Sequence, residues 1–336
     1  MAGGSKGAVY AAIGANSVVT LAKLAGFALT GSGAMLSEGV HSIADVGNQV
    51  LLAVGMKRAE RPPDEEHPAG YGREAFVWAL ISAVGIFFLG CGVTFMHGVE
   101  SLMHPAEHHE SGASINLAIL VFALVAEGST LVYALREVLH QAHERGLGFV
   151  RHLQTTDDPF GVAVLLEDSA AVLGVFLALG AVGLTSLTGD PRWDAFGSIA
   201  ISLLLGLVAI FLIWKNTSLL VGKAVYIDDA AKIRALLESE PAVERVVDQS
   251  AVVTGASSFR LSAELDFDGA WFADRWLADH PAPGVLAELQ TPEALEAFLR
   301  TFSEHIATEL GAEVDRIEAR LREALPKAER IALEPD

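Results

Sequence analysis

Residues 34–56 read AMLSEGVHSIADVGNQVLLAVGM. A helix of about 20 mostly apolar residues crosses the ~30 Å hydrocarbon core of a bilayer, and this stretch is long enough to do so. Yet it carries Glu38, His41, Asp45, Asn48 and Gln49. Ionisable groups within a membrane helix are costly to bury and are functional candidates by default. His41 and Asp45 stand at i and i+4 and share one helix face, and Asn48 extends that face by one more turn. An imidazole nitrogen beside a carboxylate oxygen is a ligand pair for zinc, and also for manganese, iron, cobalt or nickel.

Working outward, further spans of this length are expected at about Val9–Leu29, Ala75–Val99, Ile115–Leu135, Phe160–Leu184 and Trp193–Ile213. The predicted fold class is therefore an α-helical membrane protein, with six transmembrane helices over residues 1–222 and a cytoplasmic domain over residues 223–336. A content of 51% hydrophobic and 19% charged residues fits that split and fits neither a single soluble domain nor a chain buried in lipid throughout. The net charge of −19 argues against nucleic-acid binding, which needs a basic face. The single cysteine, Cys91, excludes an intrachain disulfide and a cysteine-based zinc cluster, and reads as a small packing residue among glycines.

Lysine and arginine set the orientation. Lys57, Arg58, Arg61 and Arg73 follow the second span, and Arg136, Arg145 and Arg151 follow the fourth. Lys6 precedes the first span and Lys223 follows the sixth, whereas Arg192 marks the opposite side. The expectation is a multi-pass protein of the cell membrane with both termini in the cytoplasm. The first span lacks a signal-peptide layout and reads as a retained helix.

From about residue 224 the composition changes, with 23 acidic against 11 basic side chains. Asp228–Ser239 reads as an amphipathic helix, and Val243–Val253 and Phe259–Phe267 read as strands. Ala270–Leu289 reads as an insertion. Thr291 caps a helix beginning at Pro292 that is expected to break near Gly311 and end near Leu325, with Arg330–Leu333 as a final strand. The order α-β-β-α-β predicts a small two-layer α+β domain.

The fifth span adds Glu167 and Asp168 at a depth similar to that of Asp45. Helix neighbours point about 100° apart, so only one of the two can face an ion fully. Two helices contributing ligands would form a metal cage; interhelical hydrogen bonding is the competing reading. Glu127, in the fourth span, is read as a structural carboxylate contacting Lys23 or Arg136. The loop histidines on both sides of the membrane read as bystanders.

Three strings together carry a resemblance: GSGAMLSEGVHSIADVGNQ (31–49), RPPDEEHPAGYGRE (61–74) and VLLEDSAAVLGV (164–175). They resemble the cation diffusion facilitator transporters, and within them the zinc transporter nine-like branch, over nearly the whole chain. The resemblance implies a homodimer whose cytoplasmic tails pair, a tail of ferredoxin-like, metallochaperone type, and efflux of divalent cations by exchange with protons. It implies no prosthetic group; Zn2+, or Mn2+, Fe2+, Co2+ or Ni2+, is the transported ion. The family's transport site falls on His41, Asp45, Val164 and Asp168, so one usual ligand is replaced by valine. Glu167, Asn48 or water is then expected to complete the shell. A second metal site of some members falls on Asp64 and His67, with Tyr71 where a histidine is common. The tail has only His280 and His305, and Val247 and Ala263 hold the strand positions, so dimerisation rather than metal binding is expected of it. An intramembrane metalloenzyme would need a second ligand motif such as HExxH, which this sequence lacks. The remaining alternative is a metal-sensing or scaffold membrane protein whose tail recruits a partner.

Overall fold

A computed structural model of the chain describes residues 2–30, 33–104, 113–190, 192–256 and 258–336. The chain divides into two compact units, Met1–Gly222 with Gly255–Ser257, and Lys223–Thr254 with Ser258–Asp336.

The first unit is helical: α1 (Ala2–Thr30), α2 (Gly33–Ala59), α3 (Glu74–Gly85), a π-helical segment (Ile86–Val93), α4 (Thr94–Met103), α5 (Ala113–Glu144), α6 (Phe149–Thr155), α7 (Pro159–Thr188) and α8 (Arg192–Val221). Among the described residues, five stretches are long and apolar enough to cross a membrane: Val9–Gly26, Glu74–Met103, Leu117–Glu144, Pro159–Ala181 and Ala195–Val221. The polarity of α2 keeps it out of that group, although its 27 residues are ample in length. On α2 the polar side chains Ser42, Asn48 and Gln49 are buried while Ile43 and Val50 are exposed. The same inversion runs through the unit: Lys23 is 2% exposed and Asp168 3%, whereas Leu21 is 68% exposed and Leu207 69%. Such a surface suits hydrocarbon, and the buried polar groups must find partners inside.

Close packing explains the glycines. A Cβ on Gly98 would stand 2.8 Å from Ile199 Cγ1 and 3.2 Å from the Ile199 backbone nitrogen, which lets α4 lie directly on α8. A Cβ on Gly206 would meet Cys91 Sγ at 2.9 Å, so Cys91 packs against the glycine of α8 as a small side chain. The span expected as one regular helix over 75–99 contains the π segment instead. Gly85, Gly90 and Gly92 border or occupy it and offer little side-chain resistance to the wider turn.

At the start of α7 the Asp158 carboxylate accepts hydrogen bonds from the Phe160 and Gly161 amides at 3.0 and 3.1 Å, capping the helix ahead of Pro159. The buried Lys215 of α8 donates to the carbonyls of Leu153 and Thr156, satisfying the C-terminal end of α6. His152 is buried beside them; desolvation, then the Arg145 and Lys215 charges, hold its imidazole down to about 4.

The second unit comprises α9 (Ile227–Glu238), β1 (Val243–Gly255), β2 (Ser258–Phe267), α10 (Gly269–Asp279), α11 (Ala282–Glu288), α12 (Pro292–Ala324) and β3 (Ala328–Pro335). The sheet order is β1-β2-β3, with β2 and β3 parallel and Leu261 opposite Ile331. Leu261, Ala263 and Leu265 alternate inward on β2 and pack with Ile233, Leu237, Ile317, Leu321, Ile331 and Leu333. Two expectations change here. The insertion folds as α10 and α11, with Asp268 capping α10 through the Ala270 amide at 2.8 Å. The helix expected to break near Gly311 runs unbroken from Pro292 to Ala324. A mid-helix glycine costs about 1 kcal/mol relative to alanine, and burial of Ile317 and Leu321, about two and three turns later, outweighs it. Thr291 caps this helix as expected, accepting from the Ala294 amide at 3.2 Å.

Candidate metal centre

The polar residues of the first unit gather where α1, α2, α3, α5 and α7 adjoin. On α2, Asn48 is central. Its Nδ2 donates to Glu167 Oε1 at 2.7 Å, and its Oδ1 accepts from Ser82 Oγ of α3 at 2.7 Å. Asn48 thereby bridges three helices with both ends of its amide. Glu167 is directed to that bridge, and its neighbour Asp168 points elsewhere, as the 100° helix step requires.

Asp168 faces α5. The Thr130 hydroxyl is within hydrogen-bonding reach of it, and the charges of Glu127 and Asp45 are close enough to act on it. Its Oδ2 is buried without a hydrogen-bond partner among the described residues. A buried acceptor in that state costs roughly 1–3 kcal/mol, and it is the kind of atom a cation would claim. Asp45 also lies within electrostatic range of Glu167. Three carboxylates of α2 and α7 therefore share one low-dielectric region.

A lysine offsets part of this charge. Lys23 of α1 donates to Ser42 Oγ at 2.9 Å, and its Nζ is 3.7 Å from Glu127 Oε1. Glu127 thus contacts Lys23, one of the two basic partners its position in the sequence allowed. His41 lies in α2 one turn before Asp45, but its side chain falls outside the described residues. Among the described residues, no three histidine, cysteine or carboxylate side chains are grouped so that they could hold a metal ion. Val164 is buried and offers only methyl groups toward its neighbours. Ser82 is the participant that sequence reasoning missed; its sole signal is a hydroxyl within the apolar run Ala75–Gly85.

In the loop between α2 and α3, Asp64 is hydrogen-bonded to the His67 backbone and to Tyr71. Asp64 Oδ1 accepts from the His67 backbone amide at 2.7 Å, and Oδ2 accepts from the Tyr71 hydroxyl at 2.7 Å. The Tyr71 hydrogen bond, then that of the His67 amide, hold the Asp64 carboxyl below its ordinary range, and the same bond pushes the Tyr71 phenol up. The Arg61 guanidinium lies 4.1 Å from the Tyr71 ring centroid, and the His67 ring is 4.4 Å from it. The His67 Nδ1 is 3.7 Å from Asp64 Oδ1. Both oxygens of Asp64 are therefore engaged in closing the loop.

The family model for the cation efflux transmembrane domain matches residues 9–221. The chain belongs to the cation efflux family. Cation efflux proteins, also called cation diffusion facilitators, are membrane transporters rather than enzymes, and relatives agree along nearly the full length. The chain is 40% identical over 331 residues to the proton-coupled zinc antiporter SLC30A9, mitochondrial, of Xenopus laevis, covering 97% of this chain and 58% of that protein. It is 39% identical to the human protein of the same name over the same shares of each chain. It is 35% identical over 338 residues to metal tolerance protein C4 of Arabidopsis thaliana, covering 98% of this chain and 73% of that protein. The chain thus spans 58% of the length of its antiporter relatives.

Proposed function

We propose that the chain exports a divalent cation, Zn2+ first among candidates, in exchange for protons by alternating access. The observation that carries this reading is the buried Asp168 carboxylate, with one oxygen unpartnered among the described residues, near Asp45 across the α2–α7 pair. On this reading His41, Asp45 and Asp168 ligate the ion. Glu167 and Asn48 form the wall that holds α2 against α7, rather than serving as primary ligands, because they are bonded to each other. Binding needs neutral imidazole and ionised carboxylate, so loading displaces protons and proton uptake on the far side helps release the cargo. Zinc and proton coupling are the properties for which the antiporter relatives are named. The donor set of imidazole and carboxylate is compatible with zinc and leaves Mn2+, Fe2+, Co2+ and Ni2+ as competitors.

On the same reading α2 crosses the membrane as a sixth span, shielded by its neighbours, and both termini face the cytoplasm. The tail is a ferredoxin-like variant that pairs in a homodimer. The cell membrane is the proposed location from loop charge, whereas the relatives' names are mitochondrial; fractionation of the expressed protein decides between them. The main test is uptake of Zn2+ into proteoliposomes under an imposed pH gradient, with the other metals as competitors. Asp45→Asn and Asp168→Asn are each expected to reduce coupled flux to background. Undiminished flux in both would overturn the site.

A further inference from the structure

The second unit carries an apolar groove that plays no part in transport as proposed above. Helices α10, α11 and the start of α12 enclose a cavity of 680 Å³ whose walls include Trp276, Leu277, Val285, Leu286, Phe298 and Leu299. Its floor is ordered by aromatic contacts. Trp276 lies edge-on to Phe298 and Phe302 at 5.5 and 5.3 Å and stacks on His280 at 4.3 Å. Leu286 is 68% exposed and Leu299 51%, so apolar surface is left in water at the rim. A contiguous patch of this kind on a polar domain marks an interaction surface.

Charge indicates what would cover it. Between residues 269 and 304 the acidic side chains are Asp274, Asp279, Glu288, Glu293, Glu296 and Glu304, against Arg275 and Arg300. Asp274 and Asp279 flank the Trp276–Leu277 face of α10, each roughly 100° around the helix from it. Arg275 is turned to the Trp271 ring, 4.8 Å from its centroid, and to Glu309 at 3.6 Å. Glu288 and Glu296 flank the Val285–Leu286 and Phe298–Leu299 faces in the same way, so the rim is net acidic, whereas Glu293 and Glu304 lie on the far side of α12. A second copy seated groove to groove would oppose rims of like sign, and anionic lipid headgroups would be repelled. We propose that this groove binds an amphipathic helix whose apolar stripe is bordered by lysine or arginine. The stripe fills the cavity with residues at i, i+3/i+4 and i+7, and the flanking cations meet the acidic rim.

The test uses the full chain in phosphatidylcholine nanodiscs, with empty nanodiscs as baseline. The probe is a fluorescein-labelled 18-residue helical peptide of leucine and lysine, followed by anisotropy, with a matched leucine–glutamate peptide as control. The lysine peptide is expected to bind saturably, at least tenfold tighter than the glutamate peptide, and to weaken as salt rises. Leu286→Asp and Leu299→Asp are expected to weaken it at least tenfold each. Both positions are exposed, so circular dichroism should stay unchanged. Equal binding of the two peptides, or full binding by both variants, would overturn the proposal. A loss of oligomeric mass in Leu286→Asp would also overturn it, by showing that a second copy covers the groove. Zn2+ transport is not read in any of these measurements, so their failure is separable from failure of the transport reading.

Discussion

Replacing Asn48 should reveal how α2 and α7 are held together. Its amide donates to Glu167 and accepts from Ser82, both at 2.7 Å, the first bond part-buried and the second buried. Asn48→Ala removes both bonds; Glu167→Ala removes only the first. A hydrogen bond to a charged group contributes about 1.5–3 kcal/mol, and one between neutral groups about 0.5–1.5 kcal/mol. A double-mutant cycle over Asn48→Ala and Glu167→Ala, read by reversible unfolding in mixed micelles, should give a coupling energy within one of these ranges. The upper range would mean that Glu167 accepts as a carboxylate, and the lower that it accepts as a neutral carboxyl. Ser82→Ala should couple to Asn48→Ala by about 0.5–1.5 kcal/mol, as a neutral pair. Sites that do not interact add within roughly 0.3–0.5 kcal/mol. Additivity within that margin for Asn48 and Glu167 would refute the bridge, and with it the division of labour between Glu167 and Asp168.

Three other outcomes are expected. Gly98→Ala should destabilise the helical unit by about 1–3 kcal/mol, because its Cβ would press on Ile199 at 2.8 Å, whereas Gly14→Ala, with nothing within 4 Å, should be neutral or stabilising in the same unfolding assay. Stability should fall on acidification through His152: its folded value is depressed from 6.5 to about 4, so the unfolded chain binds the extra proton between those values, at a cost of up to about 3 kcal/mol. His152→Gln should flatten that part of the pH–stability curve; an unchanged slope would show that another group titrates there. Tyr71→Phe should raise the Asp64 carboxyl toward its ordinary value, because the phenol hydrogen bond is the largest cause of the depression. NMR titration of the labelled aspartate would read this, and an unmoved midpoint would assign the depression to the His67 amide.

The sequence was most legible where structure is local. Five of the six expected spans could be placed from apolar length, the cap at Thr291 from its neighbours, and the strands of the second unit from alternation that places Leu261, Ala263 and Leu265 on one face. It misled at Gly311, where a local penalty of about 1 kcal/mol is outweighed by burial of residues further along α12. It was silent on the π segment at Ile86–Val93, because hydrophobic pattern does not distinguish a widened turn from a regular one. The stretch 270–289 looked irregular because its apolar side chains line a groove rather than a closed core, so they lack the clean stripe of a core-facing helix.

Within the candidate site the same boundary holds. That His41 and Asp45 share a face, and that Glu167 and Asp168 do not, follows from 3.6 residues per turn and needs no tertiary information. The family follows from the strings that surround those residues. Which helix each face meets is a different matter. Only packing paired Asn48 with Glu167 and Ser82, Lys23 with Glu127, and Asp168 with Thr130. Helix periodicity is a property of a few consecutive residues, whereas partner choice across helices is settled jointly by all the buried polar groups that must be satisfied where no water reaches them.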